Sequence, residues 1–169
     1  MIKKYKILFL IPAFLLTFFS CNTTKSVKSG SYGSESKTEI QRDKIVNYAK
    51  KQLGVKYTYA GNTPKTGFDC SGFTKYVYSH FGYDVPRRSV DYTNIGKKIS
   101  IKDVKKGDIL LFTGSNKHKR VTGHLGIVVS NKSGTIKFIH ASSSRGVVIS
   151  DLSVSYYKER ILGARRIIN

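Results

Sequence analysis

The chain has 169 residues, with 30 Lys+Arg against 10 Asp+Glu and a formal net charge of +20. This length fits one folded domain plus a leader, and an apolar content of 40% is enough for a packed core. The charge points to an anionic partner or surface. The basic residues are scattered, however, and show neither an aromatic RNP pattern nor zinc-finger spacing, so the common nucleic-acid modules are excluded.

The first predicted element is a leader. MIKKYK is cationic, and the thirteen residues ILFLIPAFLLTFF are apolar but too short and too early for a comfortable membrane span. Ser20 and Cys21 follow. This arrangement resembles a bacterial lipoprotein signal, in which the cysteine becomes the lipid-bearing N-terminus, although Phe18 stands where such signals usually carry Leu. An ordinary secretory peptide and an uncleaved anchor are the alternatives. Cleavage after Ser20 removes three lysines and no acid, leaving a net charge of +17. With Cys21 lipidated, Cys70 is the one thiol left, unpaired in a chain exported to an oxidising compartment.

Residues 22–37 are Ser, Thr, Gly and Lys with little apolar content, so segment 21–37 is expected to be a flexible tether. TEIQ then opens the folded part, with Thr38 as N-cap and Gln41 completing a capping box. Val46, Ala49 and Leu53 lie at helical spacing, and Gly54 supplies the stop. YTYAGNTPKTGF is a loop. The next helix is expected to begin near Cys70, with Phe73, Val77 and Phe81 on its core face and Gly82 at its end. VPRRS is a bend. After Gly107 the pattern changes to short β-rich runs: DILLF, HLGIVV, TIKFIHA, GVVISDL and ILGARRII. Helices first and an antiparallel sheet second predict an α+β fold.

GFDCSGF, residues 67–73, raises the question of chemistry. Cys70 is either a small buried hydrophobe at a turn or a nucleophile at a helix start, where unpaired backbone N–H groups stabilise a thiolate. A nucleophile needs a base, and the base needs an orienting partner. His80 lies ten residues along the same helix, about 15 Å away, and is too far. His118 sits in a polar loop. His124 opens one strand and His140 closes the next, so antiparallel pairing brings them to one sheet edge. A helix N-terminus packed there completes Cys–His–His, with the second histidine in the place that Asp or Asn takes in other triads. Each histidine alone is more often a packing residue. Zinc is the other use of such residues, but the chain has no C-x-x-C or H-x-x-x-H pair, and no cofactor is expected.

Taken together, YTYAG…GFDCSGF, GHLGIVV and FIHASSSRGVVIS resemble the NlpC family of papain-like cell-wall cysteine peptidases, over roughly residues 40 to 168. The likeness is greatest to small single-domain murein endopeptidase lipoproteins of the Spr (MepS) type, whose ending is similar to YYKERILGARRI. The resemblance implies a papain-like fold in residues 38–169, with the Cys70 helix packed on an antiparallel sheet. It implies Cys70 as nucleophile, His124 as general base and acid, and His140 as orienting residue. Tyr57 matches a tyrosine at the oxyanion site, with the Cys70 N–H as second donor. Asp69 and Ser71 match positions that contact the stem peptide; Asp69 also reads as an N-cap. Ala60 departs from the family in standing where many members carry glycine, and Val128 stands where an aromatic is common.

The implied activity is hydrolysis of peptidoglycan stem-peptide or cross-link amides, by a monomer held to a membrane through lipid on Cys21. That membrane is the outer one, facing the periplasm, if the host has two. A D,D-bond in the cross-link is the first expectation, and the D-glutamyl–diaminopimelate bond the alternative. The rivals are a non-catalytic wall-binding lipoprotein and a related thiol acyltransferase or amidase. No nucleic-acid partner is expected.

Overall fold

Alternation on the strands decides the layers. A computed structural model of the chain describes residues 32–169. The leader, Cys21 and the first part of the tether lie outside the described residues. Helix α1 (Tyr32–Lys50) is followed by a short ladder, β1 (Asn62–Thr63) with β2 (Gly67–Phe68), and then by α2 (Cys70–Ser79). The remaining chain supplies β3 (Lys97–Ile99), β4 (Ile109–Thr113), β5 (Thr122–Lys132), β6 (Thr135–Ser142), β7 (Gly146–Asp151), the short α3 (Ser155–Lys158) and β8 (Ile161–Arg166). The last six strands form one antiparallel sheet in the order β3-β8-β4-β5-β6-β7. Helices packed on an antiparallel sheet are the α+β arrangement expected from the sequence.

Both faces of the sheet are covered, which is why DILLF reads as an unbroken apolar run. On one face Ile109, Leu111, Leu125, Ile127, Ile139 and Ala141 pack against Ile45, Val46, Ala49, Phe73 and Val77 of the helices. On the other, Leu110, Phe112, Val128 and Phe138 pack with Leu152 and Tyr157. Gly126 is required on this second face, because a Cβ there would collide with the Phe138 ring. His124 and His140 share the face of Phe112 and Phe138, with ring centroids 6.0 and 5.0 Å from those phenyl groups.

Four sequence expectations change. The helix reaches back to Tyr32, so residues 32–37 are helical and Thr38 is not an N-cap. Its hydroxyl finds a tertiary acceptor instead, the Asn169 carbonyl at 3.1 Å. Leu53 lies beyond the helix end and is exposed, while Ile45 is fully buried and joins Val46 and Ala49 on the core face. The 57–68 loop contains the β1–β2 ladder, and α2 stops at Ser79, leaving Phe81 half-buried past its end.

A buried carboxylate ties the ends of the domain together. Asp108 is fully buried and accepts from Arg42 Nη1 (3.2 Å), Arg166 Nε and Nη2 (2.9 and 2.6 Å) and the Lys105 amide (2.9 Å). Removing one partner of a buried ion pair leaves uncompensated charge. Asp108→Ala is therefore expected to destabilise the fold by about 3–5 kcal/mol, read from urea denaturation, with no direct effect at the site described next.

Candidate active site

The start of α2 is built around Asp69. Its backbone is extended and its Oδ1 accepts the Gly72 N–H at 2.6 Å, an N-cap that fixes Cys70 in the first turn. Gly72 has to be glycine, since a Cβ would meet the Gly61 carbonyl, which itself accepts the Asp69 N–H at 3.0 Å. Arg87 clamps the cap: Nη1 donates to Asp69 Oδ1 (3.0 Å) and Ser71 Oγ (2.9 Å), and Nη2 to Asp69 Oδ2 (2.7 Å). Asp69 and Ser71 are buried in this cluster and do not line the cavity beside Cys70. Arg87, read from sequence only as part of a bend, neutralises the carboxylate next to the thiol.

Cys70 is buried, with Sγ 3.9 Å from the Gly123 carbonyl at the start of β5. His124 follows and is half-buried. Its Nε2 lies 2.9 Å from His140 Nδ1. His140 is 1% exposed, and its own Nε2 is 3.0 Å from Ser150 Oγ and 3.2 Å from the Tyr157 hydroxyl. Arg145 Nη2 donates to both hydroxyls, at 3.5 and 3.4 Å. If His124 Nε2–H donates to His140 Nδ1, then His140 Nε2–H donates onward and His124 Nδ1 keeps a free lone pair. Sequence reasoning placed the two histidines together and missed Ser150, Tyr157 and Arg145. His80 stacks on Tyr48 at 3.8 Å, and His118 lies in an exposed loop.

Electrostatics set the resting state. Burial, and then the Asp69 charge, push the Cys70 thiol up to about 11, against nearby backbone N–H groups that favour the thiolate. Burial lowers His124 to about 4. Burial, then His124 and Arg145, lower His140 to about 3. Both shifts disfavour charge, so the pair rests as thiol and neutral imidazole rather than as an ion pair. Such a pair can act by general-base attack, the proton leaving sulfur as the new bond forms.

Cys70, His124, His140 and Tyr57 line one cavity of about 500 Å³. Burial raises the Tyr57 phenol, with the Cys70 and Asp69 charges adding to it, so the hydroxyl remains a donor. Ala60, three residues on, has φ of +59°. That left-handed backbone strains a side chain by roughly 1 kcal/mol and explains why glycine suits the position. Among the described residues, no group of three or more His, Cys, Asp or Glu side chains is placed to hold a metal ion.

Comparison with known proteins gives the lineage. The family model described as NlpC/P60 matches residues 54–166. The gamma-DL-glutamyl hydrolase of Bacillus subtilis (strain 168) is 39% identical over 126 residues, covering 74% of this chain and 29% of its own length. The murein DD-endopeptidase MepS/murein LD-carboxypeptidase of Escherichia coli (strain K12) is 33% identical over 129 residues, covering 76% of this chain and 64% of its own. The chain thus spans less than two thirds of either relative. An NlpC/P60 family protein from Bacillus cereus ATCC 10987 superposes with a TM-score of 0.68 at 31% identity, covering 76% of this chain and 40% of that one. The matched segment holds Tyr57, Cys70, His124 and His140 together, and the chain belongs to the NlpC/P60 family.

Proposed function

We propose that this protein is a peptidoglycan endopeptidase of the cysteine type, with Cys70, His124 and His140 as its triad. The observation that carries the reading is the 2.9 Å contact of His124 Nε2 with His140 Nδ1, in a cavity that Cys70 also lines from a helix start. His124 Nδ1 takes the Cys70 proton as sulfur attacks the amide carbonyl. The oxyanion is held by the Cys70 N–H, a first-turn amide with no intrahelical acceptor, and by the Tyr57 hydroxyl. The C–N bond breaks as His124 returns the proton to the departing amine. Water, deprotonated by His124, then attacks the thioester, and the thiol re-forms. His140 holds the tautomer and orientation of His124, and Arg145 beyond it keeps His140 itself neutral.

The bond attacked first is the D,D cross-link, the activity in the printed name of the Escherichia coli relative. A D-glutamyl bond is the second reading, favoured by the name of the Bacillus subtilis hydrolase. Asp69 and Ser71 border the nucleophile from the α2 side, and the part expected of them in substrate binding is indirect, through the Arg87 cluster that fixes the start of α2. The protein works as an exported monomer, anchored through lipid on Cys21. No described helix is long and apolar enough to cross a membrane.

Purified cross-linked peptidoglycan fragments test the reading. Dimers falling to intact monomers support the D,D bond, stems shortened to D-glutamate support the other, and a folded, reduced protein that cuts neither refutes both. Tyr57→Phe keeps the ring and removes one oxyanion donor. It is expected to lower kcat by about 100-fold with little change in KM, measured on whichever fragment is cut.

A further inference from the structure

The cavity has a cationic end, of which only Arg145 serves the triad. It extends from Cys70 past His124 to the β6–β7 turn and to α3, and its lining includes Arg145 and Arg160 but no carboxylate. Glu159, next to Arg160 in sequence, points elsewhere and pairs with Lys117 at 2.7 Å. The Arg160 guanidinium lies over the Tyr156 ring, its Cζ 3.8 Å from the centroid, and Nη1 donates to the Tyr156 carbonyl at 3.0 Å. Nε is buried without an acceptor, and Nη2 has none among the described residues. A pre-positioned guanidinium whose Nη2 donors are unsatisfied leaves part of an ion-binding fork open.

The direction of the chemistry says which part of a substrate meets it. His124 must protonate the departing nitrogen, so the chain beyond that nitrogen runs over the histidine side of the cavity, toward Arg145 and Arg160. The geometry points to a carboxylate site there: Arg160, with Arg145 lining the same end of the cavity, binds a free carboxylate close to the released amine. This rests on the endopeptidase reading above and sharpens its choice of bond. A D-alanyl cross-link to diaminopimelate releases an amine whose carbon carries a free carboxylate. A D-glutamyl amide releases an amine whose neighbouring carboxyl is tied into the next amide. The fork therefore selects the cross-link.

The test uses two cross-linked dimers, one with that carboxylate free and one with it amidated, and the full-length chain. The wild type is expected to favour the free acid by about 10- to 100-fold in kcat/KM. Arg160→Ala should lose this preference through KM, with kcat little changed and the amidated dimer unaffected. Arg160→Lys should recover part of it. A wild type without the preference, or an Arg160→Ala loss equal on both dimers, overturns the assignment. Calorimetric binding of the same dimers to Cys70→Ala separates the two claims. Carboxylate-dependent binding with no turnover by the wild type sinks the endopeptidase reading and keeps the Arg160 site. Turnover without carboxylate preference does the reverse.

Discussion

Cys70→Ala is expected to abolish cleavage of cross-linked wall fragments, by about 10⁵-fold or more in kcat, while the protein stays folded. The side chain is small and 8% exposed, so alanine removes one sulfur atom from a site already capped by Asp69 and Gly72. The stability change should be about 1 kcal/mol. Cys70→Ser keeps the size and is expected to be equally inactive, because a hydroxyl is a far weaker nucleophile than a thiol facing the same base. Fragment turnover by chromatography and thermal melting by circular dichroism check the pair. A cysteine that only packed would give the opposite pattern, with activity kept and stability lost.

The second large effect concerns His140. His140→Ala removes the acceptor of His124 Nε2 and frees the ring to turn away, and the expected loss is about 10³-fold in kcat with KM little changed. His140→Asn places an oxygen where Nδ1 stands and should retain most of the orientation while losing the contacts to Ser150 and Tyr157. An equal loss in both variants would mean that the hydroxyl cluster, not the acceptor, matters. The pH dependence has a definite sign. Free histidines protonate near 6.5, whereas His124 and His140 in the fold protonate only near 4 and 3. Above 6.5 neither state binds these protons; below it the unfolded chain binds more, so stability falls as pH drops from 6.5 through 4 to 3. His140→Asn should make this acid loss shallower. The resting thiol also predicts that thiolate absorbance near 240 nm, taken as wild type minus Cys70→Ala, is absent at neutral pH and rises toward 11.

Much of this site was legible because its chemistry is local. Asp69, Cys70 and Gly72 are neighbours in sequence, and cap, nucleophile and close loop approach all act within one helical turn. His124 and His140 could be paired because a short turn fixes antiparallel neighbours, and β5 and β6 do lie side by side. What stayed hidden depends on tertiary register. Ser150 reaches His140 only through the β6–β7 alignment, in which Ser150 pairs with Phe138. Tyr157 and Arg145 arrive from a separate helix and turn. Arg87 sits sixteen residues after Ser71, where no periodicity links it to a carboxylate. Asp108 is likewise joined to Arg42 and Arg166 across 66 and 58 residues. The Thr38 pattern was misleading because capping signals are local, while the helix continued back to Tyr32 and the hydroxyl found an acceptor at the far end of the chain.

Rapid quenching of the protein with a cross-linked dimer, followed by intact mass spectrometry, tests the central claim most directly. The account predicts a transient adduct on Cys70 whose mass is that of the acyl half of the dimer, joined as a thioester and released by hydroxylamine. The same adduct should accumulate more in Tyr57→Phe only if deacylation slows more than acylation. Turnover of the dimer with no adduct at any quench time, or with the adduct on another residue, would contradict a covalent role for Cys70.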